Sequence, residues 1–328
     1  MGACARRDSS KWSSIMSAPC VICGGPTAIK FPAVRDHLFG LAGAWTVVRC
    51  KDSSCRHGQL DPLPTDEELT RFYASYITHE EPDIEGDTRK DPITRYLKSR
   101  PAHKARKHIF LDQVKPDNVL EIGSGNGVNL LTLKRIGWTV EGQELDPVAA
   151  EGSRSRGVPV RTGFLHEVEQ DLGNYRAIIM VHVIEHLRSP VSELILAGKH
   201  LKESGQIVVI TPNFKSLPLK IFGRFWAPLH VPFHLQHFTR SSLNRVMKDA
   251  GLKVERNFTT STHSASNIRA SLVFAASETS WLKALSRVPL AFKIIEAGMF
   301  ALLGLAQVLS QEAGDECVMI CSRPKDRS

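Results

Sequence analysis

Residues Val119 to Gly127 read VLEIGSGNG: an apolar run carrying one acid, then glycine at alternate positions, with an amphipathic helical pattern behind them. Such a turn is used where the backbone must enter the left-handed region or where a ligand lies against the main chain. A side chain at Gly123, Gly125 or Gly127 would block that approach. A second apolar run, WTVEGQE, ends at Glu144, where open α/β sheets place an acid on ribose hydroxyls. Strand, glycine turn, helix and downstream acid together predict a parallel α/β sheet with a nucleoside-cofactor pocket. Its expected lining is Glu121, Gly123, Ser124, Gly125, Asn126, Gly127, Glu144 and Leu145, with Val181 at the end of a later strand.

The spacing is G-x-G-x-G, whereas a dinucleotide site needs G-x-G-x-x-G, so Gly127 comes one residue too early for a nicotinamide-dependent oxidoreductase. A cationic ligand such as S-adenosylmethionine needs no phosphate cradle, and its ammonium and sulfonium favour an acid such as Glu121. Four stretches extend this reading: VLEIGSGNG, VEGQELDP from Val140, IIMVHVIEHLRSP from Ile178, and TPNF followed by HVPFHLQHFTRSSL. In order and spacing they resemble the class I S-adenosylmethionine-dependent methyltransferases. The likeness is strongest to bacterial members with a cysteine-rich segment ahead of the catalytic domain, which act on sugars, surface glycans or natural products. It covers nearly everything after Pro19. It implies a Rossmann-like seven-stranded sheet, S-adenosylmethionine as cofactor, and methyl transfer to an O or C atom of a sugar, glycan or lipid-linked small molecule. One departure concerns the adenine side, where the family often has an acid and this chain has Thr162, Gly163 and Phe164.

Ligands in open α/β sheets lie beyond the carboxyl ends of the strands, which puts the loops after Val181 and Thr211 beside the methyl donor. Both are rich in histidine. Methyl transfer from a sulfonium needs an aligned nucleophile and an acceptor for its proton, and imidazole suits that proton near neutral pH. His186 is the leading candidate base, with His182 and His234 behind it and Glu185 as the group that orients a histidine. His182 and His186 are four apart, yet a strand end followed by a helix start would not hold them on one face, and the resemblance implies no catalytic metal. Tyr73 and Tyr76 are candidates for a lid over the donor, or for ordinary helix packing.

Seven cysteines without a secretory signal argue for metal or buried thiols. Cys20 and Cys23 form C-x2-C, Cys50 and Cys55 form C-x4-C, and Gly24 and Gly25 supply a tight turn. These four are the candidate ligands of a structural zinc, with four buried thiols as the alternative. Cys317 and Cys321 fall on one face of the strand pattern ECVMIC and read as packed thiols.

Residues 1–15 read as a disordered leader, 16–62 as a zinc-ribbon-like segment, 63–117 as a helical lead-in and lid, and 118–328 as the cofactor-binding domain. Within 63–117, Thr65 and Glu68 form a capping-box pattern for a first helix, 78–91 reads as a loop, and a basic helix is expected from Ile93 to Val114. Strands are expected at 118–122, 139–144, 158–161, 177–181, 206–211, 253–260 and 316–322. A helical insertion at about 265–312 precedes the last of them, and its apolar stretch 281–310 is either core or lid, or a peripheral membrane contact. The net charge of +8 is spread without a dense basic run, which argues for a solvated surface over nucleic acid. The competing class is a zinc-ribbon nucleic-acid-binding protein on a degenerate methyltransferase scaffold. A cytoplasmic enzyme, in contact with the membrane periphery at most, is the expectation.

Overall fold

The computed structural model describes residues 17–73, 109–111, 113–261, 264–286 and 289–324. The expected leader, the loop 78–91 and Tyr76 lie outside the described residues, as does most of the expected basic helix. The last part of that helix, from Ile109, is turn instead. Phe110 is in the left-handed region at φ 58°, and Leu111 and Val114 are buried against the main sheet.

The amino-terminal elements are β1 (Thr27–Val34), β2 (Trp45–Cys50), β3 (Gly58–Leu60) and α1 (Asp66–Tyr73). Thr65 caps α1 as expected: its Oγ1 accepts from the Glu68 N–H, and Glu68 Oε2 accepts from the Thr65 N–H. Next come β4 (Asn118–Ile122), α2 (Val128–Arg135), β5 (Thr139–Glu144), α3 (Pro147–Ser155), β6 (Val160–Thr162), α4 (Leu165–Val168), β7 (Tyr175–Val181), α5 (Pro190–Lys199) and β8 (Leu201–Pro212). The rest of the chain adds α6 (Leu217–Phe222), β9 (Gln236–His237), α7 (Arg240–Asp249), β10 (Lys253–Thr260), α8 (Ser264–Glu278), α9 (Ser280–Ser286), α10 (Pro289–Leu309) and β11 (Glu316–Ser322).

Seven strands form the main sheet in the order β10-β11-β8-β7-β4-β5-β6. The pairs from β8 through β6 are parallel, and β11 runs antiparallel to both neighbours. Alternate residues supply the two faces. Leu120, Ile122, Met180, Val209 and Met319 pack on one side with Leu243, Val246 and Met247 of α7. Val119, Ile179, Val208, Ile210 and Val318 pack on the other with Leu130 and Leu133 of α2. Cys317 and Cys321 are both buried in the first cluster, as their spacing required.

Three strands differ from their expected bounds, β7 by starting two residues early at Tyr175. β6 starts at Val160 because the Val158 N–H is committed to Ser153 O at the end of α3. β8 starts earlier, at Leu201, because it pairs with Tyr175 across a register shift.

The amino-terminal segment is not separate from the main fold. Its four-stranded sheet has the order β1-β2-β3-β9, so the loop after β8 supplies the edge strand. Gly58 pairs with His237 and Gln59 with Gln236. The insertion before β11 forms α8, α9 and α10, which pack through Ile268, Leu272 and Leu303 on Leu217 and Phe222. Its outer surface keeps Trp281, Leu290, Ile294, Leu305 and Val308 exposed. Among the described residues no helix is long and apolar enough to cross a membrane.

Candidate functional site

All three glycines of the turn after β4 adopt positive φ, 66° at Gly123, 51° at Gly125 and 73° at Gly127. Their surroundings differ in an informative way. A Cβ on Gly123 would meet Val183 Cγ2 at 2.5 Å, and one on Gly127 would meet Ser153 Oγ at 2.8 Å, whereas Gly125 faces open space. The outer glycines thus let protein pack on the turn, and the middle one leaves room for a ligand. Because Val183 follows β7, the first contact also brings the histidine loop against the glycine turn.

Glu144, at the carboxyl end of β5, holds this loop. Its Oε2 accepts from the Gly125 N–H at 2.6 Å and its Oε1 from the Asp146 N–H at 2.9 Å. Burial raises its pKa above the ordinary carboxylate value. Glu121 is buried beneath the turn, where its Oε1 accepts from Asn129 Nδ2 at 2.7 Å and its Oε2 has no hydrogen-bond partner. Burial, reinforced by the Glu144 charge, pushes its pKa up to about 8 against the pull of Asn129. A buried carboxylate oxygen without a donor beside an open glycine turn fits a cationic ligand. Ser124 is buried, its N–H donating to Gln143 O, while Asn126 is half-buried and Leu145 exposed beside Glu144. Val181 is half-buried at the end of β7.

The turn after β7 bends sharply, with His182 at φ 55° and a short helical turn at Ile184–His186. It separates the two histidines that sequence spacing pairs. His182 lies between two buried acids, Nε2 at 2.9 Å from Glu316 Oε1 and Nδ1 at 3.4 Å from Glu185 Oε1. Burial opposes its charge, but hydrogen bonds with Glu185 and Glu316 prevail and lift its pKa to about 10. His182 therefore carries its proton at neutral pH and is poorly suited to accept another. His186 turns instead towards His234, the rings edge-on at 4.6 Å. Burial lowers the His186 pKa, so this half-buried ring is neutral. His234 is buried, with Nδ1 2.9 Å from Pro228 O, and burial together with His186 and His230 lowers its pKa well below the usual value. Glu185 Oε2 accepts from Thr211 Oγ1 at 2.9 Å, so the carboxylate orients this cluster from β8.

Glu316 and His230 belong to this site but are absent from the sequence-level ligand and base assignments. Glu316 had a signal: the last strand of such a sheet runs antiparallel, so its first residue arrives at the edge where the others end. Asp315 beside it accepts from Trp226 Nε1 at 3.0 Å and from Asn267 Nδ2 at 2.8 Å, which ties the insertion to the start of β11. Tyr73 ends α1, and the lid expected from it and Tyr76 rests on side chains outside the described residues. An open groove of about 740 Å³ lined by Lys199, Glu203 and Arg323 lies at the other end of the sheet, where β8 begins and β11 finishes.

Cys20, Cys23, Cys50 and Cys55 converge, with all four sulfurs within 4.8 Å of one another. Cys20 and Cys55 sulfurs are 3.8 Å apart and those of Cys23 and Cys50 3.4 Å. Four sulfurs at about 2.3 Å from one zinc would be separated by about 3.8 Å, so the set fits a tetrathiolate. The hydrogen bond from Cys55 lowers the Cys20 pKa to about 5, which readies one thiolate. Gly25 leaves room for the sulfurs, since a Cβ there would lie 3.3 Å from Cys23 Sγ. The Cys55 carbonyl accepts from Thr239 Oγ1 at 2.7 Å, directly after the histidine loop.

A family model described as a methyltransferase domain matches residues 93–257. Among solved structures, the chain is similar to an S-adenosylmethionine-dependent methyltransferase from Archaeoglobus fulgidus, at 18% identity over 70% of this chain and 94% of that one, TM-score 0.46. It is also similar to geranyl diphosphate C-methyltransferase from Streptomyces coelicolor A3(2), at 14% identity over 74% and 86%, TM-score 0.46. A third is magnesium protoporphyrin IX methyltransferase from Synechocystis PCC 6803, at 12% identity over 79% and 100%, TM-score 0.47. A comparison with curated proteins gives no match.

Proposed function

The chain belongs to the methyltransferase-domain family and is an S-adenosylmethionine-dependent methyltransferase, and from that premise we propose that it methylates an O or C atom of a sugar, glycan or lipid-linked small molecule. The observation that carries the reading is the pairing of two acids around the glycine turn. Glu121 offers a buried carboxylate oxygen without a donor, and Glu144 spans the open Gly125. Glu144 would accept from the ribose hydroxyls, Glu121 would face the cationic amino-acid end, and Gly125 would admit the ligand to the backbone. When bound, S-adenosylmethionine supplies the electrophilic methyl group.

The chain's own task is then to align the acceptor and remove its proton. His186 is the base of this proposal: it is neutral, half-buried, and beside the Val183 contact that joins its loop to the glycine turn. Glu185 and His234 orient it, and protonated His182 stabilises the negative charge that gathers on the acceptor side. Proton removal by a positioned base contributes about 100-fold or more to rate. Single-turnover measurement of His186→Ala tests the assignment: turnover should fall by that factor while donor affinity holds. An unchanged rate removes His186 from the mechanism.

A lipid-linked acceptor is favoured by the insertion. Asn267 fastens α8 to Asp315, one residue from the Glu316 partner of His182, and α10 exposes Leu290, Ile294, Leu305 and Val308 beyond it. An apolar face joined to the acceptor side suits a substrate that starts at a membrane surface. The cysteine cluster in this reading holds a structural zinc and takes no part in the reaction, since a tetrathiolate leaves no open coordination position.

A further inference from the structure

Glu185, His186 and His234 each offer one ligand atom, and the three atoms lie within 4.8 Å of one another. The geometry around His234 is that of a metal-ligating histidine. His234 Nδ1 faces the Pro228 carbonyl at 2.9 Å and must donate to it, so the ring turns a lone pair on Nε2 towards Glu185 Oε1, 3.8 Å away. Two acceptor atoms thus point at each other. Metal-binding histidines characteristically donate their second ring N–H to a carbonyl in this way, which fixes the tautomer. Glu185 is likewise fixed, by Thr211 on Oε2, while its Oε1 is buried 3.4 Å from His182 Nδ1 and 3.8 Å from His234 Nε2. His230 Nδ1 lies 3.3 Å from His234 Nε2 and can serve that nitrogen in the ion-free protein, as His182 Nδ1, 3.4 Å away, serves Glu185 Oε1.

We propose that Glu185, His186 and His234 bind one divalent first-row transition ion, of which zinc is representative, at the acceptor side of the methyltransferase site. Two imidazoles and one carboxylate leave a coordination position open, the arrangement of catalytic rather than structural zinc. Ligands at about 2.1 Å from such an ion are about 3.4 Å apart, so the 3.8 Å between Glu185 and His234 closes with a small side-chain movement. Magnesium, which prefers oxygen ligands, fits this donor set poorly.

The inference rests on the proposed acceptor position and adds a means of activating it. An acceptor hydroxyl in the open position becomes more acidic and loses its proton to solvent. The O–CH3 bond then forms as the S–CH3 bond of S-adenosylmethionine breaks, with the electron pair staying on sulfur in S-adenosylhomocysteine. In the ion-free protein His186 takes the proton directly.

Calorimetric titration of zinc chloride into the full chain, with metal content measured before and after, tests the site. The intact protein should hold two equivalents, one lost in Cys50→Ser and the other lost in Glu185→Gln or His234→Ala. Loss of an outer partner alone costs about 10- to 100-fold in metal affinity, so removing a ligand should cost at least that. Cobalt(II) in the second site should lack the sulfur charge-transfer band that the cysteine site gives. A total of one equivalent in the intact protein overturns the proposal, as does a second equivalent that survives both Glu185→Gln and His234→Ala. S-adenosylmethionine titrated into the same samples separates the two readings: binding without a second zinc sinks only the metal site, and absence of binding sinks the proposed function.

Discussion

Gly58 and Phe214 are in contact so close that a Cβ on Gly58 would lie 2.7 Å from the ring's Cζ. Phe214 in turn stacks on His237, with ring centroids 5.1 Å apart, and His237 pairs with Gly58 along β9. The cysteine segment and the histidine loop are therefore one packed unit. Gly58→Ala should destabilise the protein by about 1–3 kcal/mol, the usual cost of forcing extra volume into a packed site. Thermal unfolding checks this, and a melting temperature equal to that of the parent would show that the two parts are only loosely joined.

The same joint changes what zinc removal should do. Thr239 and Ser241 both hydrogen-bond to the Cys55 carbonyl, and the Leu60 N–H donates to Leu235 O. Stripping zinc, or substituting Cys50→Ser, should release the first knuckle and also speed hydrogen exchange from Leu235 to Thr239. Exchange confined to residues before Leu60 would contradict this coupling.

His182 predicts a pH dependence of stability. Its folded pKa of about 10 exceeds the unfolded value of about 6.5. The folded state thus binds more protons between those values. The stabilisation is complete below about pH 6.5 and is lost as pH rises towards 10. The buried neutral histidines act in the opposite direction at low pH, since His57, His230 and His237 are held near 3 by burial and stability falls as pH drops below about 6.5. In urea titrations His182→Gln should flatten the alkaline limb and leave the acid limb in place. An unchanged alkaline slope would show that Glu185 and Glu316 do not hold this proton.

The buried acid Glu121 gives a further test. Glu121→Gln keeps the side-chain shape but removes the carboxyl proton that a bound cation would displace, leaving no charge at Oε2 to meet it. Its affinity for S-adenosylmethionine should fall by about tenfold, as expected for a charge-assisted contact of about 1.5–3 kcal/mol. Equal affinity in parent and variant would mean that the cation lies elsewhere.

What the sequence revealed was mostly local. β4, β5, β10 and β11 match their expected bounds because a glycine, Gly123, Gly137, Gly251 or Gly314, stands within two residues of one end of each. The three glycines and Glu144 were legible in the same local way. The pairing of Gly58 with His237 was not, because two short strands far apart in the chain carry no periodic signal for each other. Nor was the division of labour among the histidines. His182 and His186 look equivalent in HVIEH, and only the left-handed backbone at His182 sends one to Glu316 and the other to His234.

The central claim is that the glycine turn and Glu144 hold S-adenosylmethionine, and calorimetry with S-adenosylmethionine, S-adenosylhomocysteine and NAD tests it most directly. The account predicts that the first two bind and NAD does not, and that Glu144→Ala weakens both by about tenfold or more, since a carboxylate accepting from both ribose hydroxyls contributes about 1.5–3 kcal/mol. Binding of NAD, or S-adenosylmethionine affinity that is unmoved in a folded Glu144→Ala variant, would contradict it.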